Sequence, residues 1–320
     1  MAEGRAGGVR LRVALGVLAL AAVAASCGLG PIAPRAVETP DLDRGATLES
    51  MPVEVGEKPG DVALHFAWPA PAEGRCASVA RRVETKGTQT LRVTFGIRVT
   101  PDGDQLRVET FDYALPPEAP HDVEPLVEPW GAERLVDRQG RLLGVQLLDT
   151  GLSSAERTVA TARVTQQWQA VVGVWAGRTL PVGVTYSATA PEPSLEGPVR
   201  LQLAIRVDGR LPCRAGGATN DCVRMRVLSQ PTAGDAAIVA RLAARELLPP
   251  DEFALYEPSR VKAFAAQNDL VLVTDPDTLL PRRWTERRAL RLRIDPLVGP
   301  SGTDVDRQDE LTTACVWSAT

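Results

Sequence analysis

Histidine, lysine and the aromatic residues are scarce in this chain of 320 residues: there are two histidines, three lysines, and Trp, Tyr and Phe make up 4% together. With His65 and His121 alone available, imidazole is not the organising theme of any metal site, and no Cys-x-x-Cys pair or histidine lies near a cysteine. The formal net charge of −4 and a pI near 5.5 leave no basic footprint for nucleic acid, which is excluded as a partner. A serine-hydrolase elbow, a phosphate loop and a dinucleotide fingerprint are all missing. Asp304-Val305-Asp306 begins like a calcium loop but has Gln308 where that loop needs Asp or Asn, and Asp309 where it needs glycine. No catalytic residue, cofactor or metal is therefore assigned.

Long apolar runs are missing too. The one sustained stretch, Val13 to Ala25, has 13 residues, whereas a membrane-spanning helix needs roughly 20. Arg5, Arg10 and Arg12 precede it and small residues end it, the three parts of a secretory signal. Its end, Ala24-Ala25-Ser26-Cys27, resembles the lipobox of exported bacterial lipoproteins, with Ala24 where that family prefers a bulky aliphatic residue. The resemblance implies cleavage before Cys27, diacylation of its thiol and acylation of the new amino group. Several acyl chains together anchor stably, so Cys27 would hold the protein at a membrane surface. Gly28 in place of aspartate implies, by the same resemblance, the outer membrane. The alternative is an ordinary secretory signal that leaves Cys27 as a free thiol.

Residues 1–26 are thus expected to be a signal peptide, 27–60 a lipidated cysteine and flexible tether with five prolines, and 61–320 a single folded domain. The remaining cysteines, Cys76, Cys213, Cys222 and Cys315, form an even set, which in an exported chain suggests two disulfides. Four cysteines allow three pairings. The turn-forming RAGGATND between Cys213 and Cys222 favours a local bridge there, leaving Cys76 to meet Cys315.

Alternation dominates the folded part. Leu91, Val93, Phe95, Ile97 and Val99 alternate with polar residues, and Pro101 to Asp104 turns the chain toward Gln105 to Tyr113. Val199 to Val207, Val223 to Val227, a hairpin over Leu135 to Asp149, and Leu290 to Ile294 repeat the pattern, with arginines on the wet face. Those arginines are expected to pair with nearby acids. Helices are predicted from Ser153, whose Ser-x-x-Glu capping box opens a segment reaching Val172, from Asp235 to Leu248, and from Ser259 to Gln267. The expected class is α+β: a curved, mostly antiparallel, half-barrel-like sheet with two or three helices on one face.

The order of signal, tether, meander, inserted helix and the late segment TDPDTLLPRRW resembles half-barrel lipoproteins of the LolA and LolB type. The expected function is that of a non-enzymatic, membrane-anchored envelope lipoprotein whose curved sheet and helices form an apolar groove for a hydrophobic ligand or a partner protein. The alternative is a periplasmic or surface hydrolase with scattered residues. For it, His65 on a predicted strand and His121 in the acidic loop 116–131 are the histidines to watch, each more economically read as structural or solvated.

Overall fold

The computed structural model describes residues 60–84, 87–114, 131–148, 151–192, 194, 198, 199–215, 218–248, 250–295 and 302–319. The signal segment, Cys27, the tether and His121 lie outside them. Thirteen strands follow in order: β1 (Asp61–Leu64), β2 (Ala72–Glu84), β3 (Gly87–Asp102), β4 (Gln105–Ala114), β5 (Ala132–Asp137), β6 (Leu142–Leu147), β7 (Arg178–Pro181), β8 (Thr185–Glu192), β9 (Val199–Ala215), β10 (Ala218–Pro231), β11 (Val261–Thr274), β12 (Pro281–Ile294) and β13 (Thr303–Ala319). Helix α1 (Ser154–Trp168) runs into a π-turn at Gln169–Gly173, α2 (Ala236–Leu247) follows β10, and α3 (Pro250–Phe253) is a single turn.

Strands account for 64% of the structure and helices for 16%, so the class is mostly β and the α+β expectation is overturned. The predicted helix at Ser259–Gln267 is a 3-10 turn at Pro258–Arg260 leading directly into β11. Its Lys, Ala and Gln residues favour a helix in isolation. Ladder pairing wins: Phe264 faces Leu292, Ala266 faces Leu290, and the run continues to Thr274. The two longer helices fall where expected. Ser153 stands at the cap position of α1, its carbonyl accepting from Arg157 at 2.9 Å.

Eleven strands form one antiparallel sheet in the order β6-β5-β4-β3-β2-β13-β12-β11-β10-β9-β8, and β1 pairs with β7 separately. Two meanders therefore meet at one seam, β2 against β13. Thirteen residue pairs join them, from Arg307 opposite Glu84 to Ala319 opposite Ala72. Cys76 and Cys315 are directly opposed there and disulfide-bonded across 239 residues, as expected. On the chain-entropy treatment, closing a loop of that size stabilises by about 5 kcal/mol.

The sheet is open yet strongly curled. β5 and β8 stand nine strand spacings apart, roughly 43 Å if the sheet were flat. Neighbouring residues of α1 nevertheless reach both: Gln167 accepts from Arg134 of β5 at 3.0 Å, and Gln166 donates to Glu192 of β8 at 3.1 Å. A helix about 10–12 Å across spans that gap only if the sheet wraps around it. Helix α1 thus lies between the two free edges, and α2 packs against β11 and β12. Among the described residues no helix is long and apolar enough to cross a membrane, which says nothing of β-barrels.

Inside, the core runs from Val62 and Leu64 through Trp168, Val172 and Trp175 to Leu201, Met225, Leu272 and Leu292. Four tryptophans close part of it, each indole donating to a backbone carbonyl: Trp68 to Leu279, Trp168 to Gly140, Trp175 to Ala170 and Trp317 to Pro281. The TDPDTLLP segment forms the β11–β12 turn, whose Pro276 and Thr278 carbonyls hold the backbone of His65 and Ala67.

Candidate ligand-binding interior

Strand alternation makes the inner face apolar, but one row of it is polar. Successive register partners place Ser229 (β10), Asn268 (β11), Arg288 (β12), Asp309 (β13), Arg82 (β2) and Gln89 (β3) side by side across six strands. Ser229, Asn268, Asp309 and Arg82 are all buried. Arg82 grips Asp309 through two bonds, Nε to Oδ1 at 2.7 Å and a terminal nitrogen to Oδ2 at 3.0 Å. One row further along β13, Arg307 donates to Glu246 of α2 at 3.0 Å and approaches Asp309 at 3.5 Å. Burying each ion costs several kcal/mol, and only close pairing of this kind offsets it. Two rows from Asp309 on the opposite side, the hydroxyls of Ser78 and Thr313 meet at 2.6 Å.

A second group gathers beside the β8 edge. Glu286 accepts from Asn268 and from Arg288, both at 2.9 Å. Glu192 accepts from Gln166, and Arg163 stands one turn earlier on α1. Arg163, Gln166 and Glu192 are 8%, 3% and 8% exposed. Burial pushes the Glu192 carboxyl up to about 8, outweighing the Gln166 hydrogen bond and the charges of Arg288 and Arg163. It therefore keeps its proton at neutral pH.

Not all of the inner face is closed over. Ala80, Leu91 and Val93 form a small cluster apart from the main core, with Tyr113 and Leu311 only half-buried against it. Phe95, also half-buried, stacks on Tyr113 with ring centroids 5.1 Å apart.

The outer arginines pair with acids, as the alternation suggested: Arg98 with Glu109, Arg107 with Asp102 and Glu133, Arg226 with Asp269, and Arg287 with Glu310. His65 sits just beyond β1, exposed, not within a strand as expected. Cys222 is fully buried and disulfide-bonded, while the side chain of Cys213 lies outside the described set. Among the described residues no group of three or more His, Cys, Asp or Glu side chains is arranged to hold a metal ion.

The sequence carries a signal for the polar row that alternation reading passes over. Counting back by twos from Leu292 and Leu290 reaches Arg288 and Glu286, inward positions occupied by charges. Arg307 and Asp309 on β13, and Arg82 on β2, are likewise inward charges at period two. No protein-family model matches this chain, and no curated protein matches it.

Proposed function

We propose that this protein is a membrane-anchored envelope lipoprotein of the half-barrel type, not an enzyme. It is exported by residues 1–26, held through lipid on Cys27 at the outer membrane, and binds a hydrophobic ligand or a partner protein through one folded unit at 61–320. The observation that supports binding is the incompletely covered inner face, where Phe95, Tyr113 and Leu311 offer apolar surface inside a curled sheet and not on its outside. An apolar ligand held there is shielded from water on the sheet side by the same strands that present it. Acylation of Cys27 would keep this interior next to the bilayer from which such ligands come.

Two measurements test the reading. Cys27→Ser should move the protein from the detergent phase to the aqueous phase; equal partitioning of both forms refutes the anchor. Organic extraction and mass spectrometry of protein purified from envelopes should find a stoichiometric apolar ligand that Leu311→Asp depletes. A ligand-free preparation, or one indifferent to that substitution, refutes the ligand.

A further inference from the structure

The outer face of the sheet is not uniformly balanced in charge. Followed through the register from β3 across β2, β13 and β12 to β11, one outer row holds Thr94, Ala77, Ala314, Arg283 and Val273. The next holds Arg92, Val79, Thr312, Thr285 and Val271. Neither row contains an acid. In the row after these, Arg81 stands opposite Glu310, but that carboxylate accepts from Arg287 at 2.6 Å. Arg81, Arg92 and Arg283 are exposed, and none of the three bonds to an acid among the described residues. They differ in this from Arg98, Arg107, Arg226 and Arg287, whose charges are matched in place.

Apolar surface lies among these three cations. Ala77 and Ala314 are opposed across the seam and both exposed, with Val79 two residues along β2 and Val316 two residues along β13. Val79 is 38% exposed and Val316 77%. The wet face of an antiparallel sheet takes polar residues freely, so the fold does not require valine at these places. Three strand spacings, about 14 Å, separate Arg92 on β3 from Arg283 on β12, enough for each to meet its own anionic group with the apolar seam between them. The guanidinium fork matches phosphate oxygens two at a time. A chain of net charge −4 gains from an anionic surface only where unmatched cations are gathered on one side.

We propose that this patch of the outer face, centred on the β2–β13 seam, docks on a bilayer surface rich in anionic phospholipid. Arg81, Arg92 and Arg283 take the phosphates, and Val79 and Val316 sit at the level of the headgroups, where apolar side chains between cations are best accommodated. The choice of a bilayer over another polyanion rests on the reading of Cys27 as a lipid anchor, which keeps the folded unit beside a membrane. At about 3.3 Å per residue, the stretch from Gly28 to Gly60 is long enough for this face to turn onto the surface that holds the lipid.

The test uses the full exported chain carrying Cys27→Ser, so that no acyl chain contributes. It is sedimented at low salt with large vesicles of phosphatidylcholine alone, or with a third of that lipid replaced by phosphatidylglycerol. Each arginine near an anionic surface is worth roughly fivefold in binding, so the chain should favour the anionic vesicles by about a hundredfold. The preference should fade as salt is added. Arg92→Gln should lower it roughly fivefold, and changing Arg81, Arg92 and Arg283 together to Gln should remove nearly all of it. Arg291→Gln alters the net charge equally on the same face of β12, but opposite Asp306, and should leave the preference nearly unchanged. Should the triple variant not fold, the comparison of Arg92→Gln with Arg291→Gln carries the test. Equal binding to both vesicles, a preference that the triple variant keeps, or equal losses for Arg92→Gln and Arg291→Gln overturns the docking face. A wild-type chain that partitions as Cys27→Ser does overturns the anchor instead, so the two failures are told apart.

Discussion

Replacing Glu192 by glutamine should stabilise the protein, and by an amount that grows with pH. The carboxyl is held at about 8 in the folded chain against 4.5 when unfolded. Between those values the folded state keeps a proton that the unfolded state has lost, so stability falls as pH rises, by about 1.4 kcal/mol per unit. The loss amounts to about 3 kcal/mol by pH 7 and about 5 kcal/mol above pH 8, where both states are ionised and the slope vanishes. Below 4.5 both states are protonated and nothing is lost. Glutamine does not titrate, and its amide oxygen can still accept from Gln166, so Glu192→Gln retains the contact and removes the pH dependence. Urea unfolding followed by tryptophan fluorescence at pH 5, 7 and 9 should give nearly equal stabilities at pH 5, with the variant ahead by about 3 kcal/mol at pH 7 and further ahead at pH 9. A difference that is constant across the three pH values would show that Glu192 does not hold its proton in the folded chain.

Asp309→Ala removes the two bonds that Asp309 accepts from buried Arg82 and should cost about 3–5 kcal/mol in urea unfolding, whereas Arg82→Met with Asp309→Leu should recover most of that; a single variant within 1 kcal/mol of wild type would contradict the pairing. On the outer face the Phe111 ring lies against Gly96 and under the Arg98 guanidinium, 4.3 Å from the ring centroid. Gly96→Ala should displace the ring and cost about 1–3 kcal/mol, while Gly144→Ala on β6, with nothing within 4 Å of the new methyl, should be nearly neutral. Equal melting temperatures for the two variants would remove Phe111 from the account.

The hairpins were legible because their wet and dry faces alternate without interruption, as from Leu91 to Val99 and from Leu201 to Val207. Capping chemistry placed α1 at Ser153, and two prolines ended α2 near Leu248. The start of β11 was not legible, since Val261-Lys262-Ala263-Phe264-Ala265-Ala266 has no period of two strong enough to oppose its helix-forming residues, and its pairing with β12 is a tertiary fact. Of the interior group, the charges were visible at inward positions, but their meeting depends on the curl of the sheet. Gln166 and Glu192 are 26 residues apart and on different elements, and no local pattern announces their bond.

The seam explains why charges and a disulfide concentrate where they do. Within each meander, neighbouring strands are joined by short turns or by local insertions, and the chain itself limits their register. β2 and β13 have no such connection: they are brought together from the two ends of the folded part, separated by 239 residues at the disulfide. A slip of one residue there would turn every inward side chain outward, and a slip of two would keep the faces but put Arg82 opposite Leu311 or Arg307. Small apolar residues such as Ala72 and Ala80 discriminate poorly between those registers, because either fits opposite several partners. Cys76 with Cys315, Ser78 with Thr313 and Arg82 with Asp309 are each matched directly across the seam, and they recur along it at spacings of two and four residues. A misaligned seam would bury an unpaired arginine and an unpaired aspartate together, at a cost of several kcal/mol for each. The buried pairs at this joint are therefore better understood as selecting one alignment of two halves than as adding to its strength, and the disulfide then fixes the alignment they select.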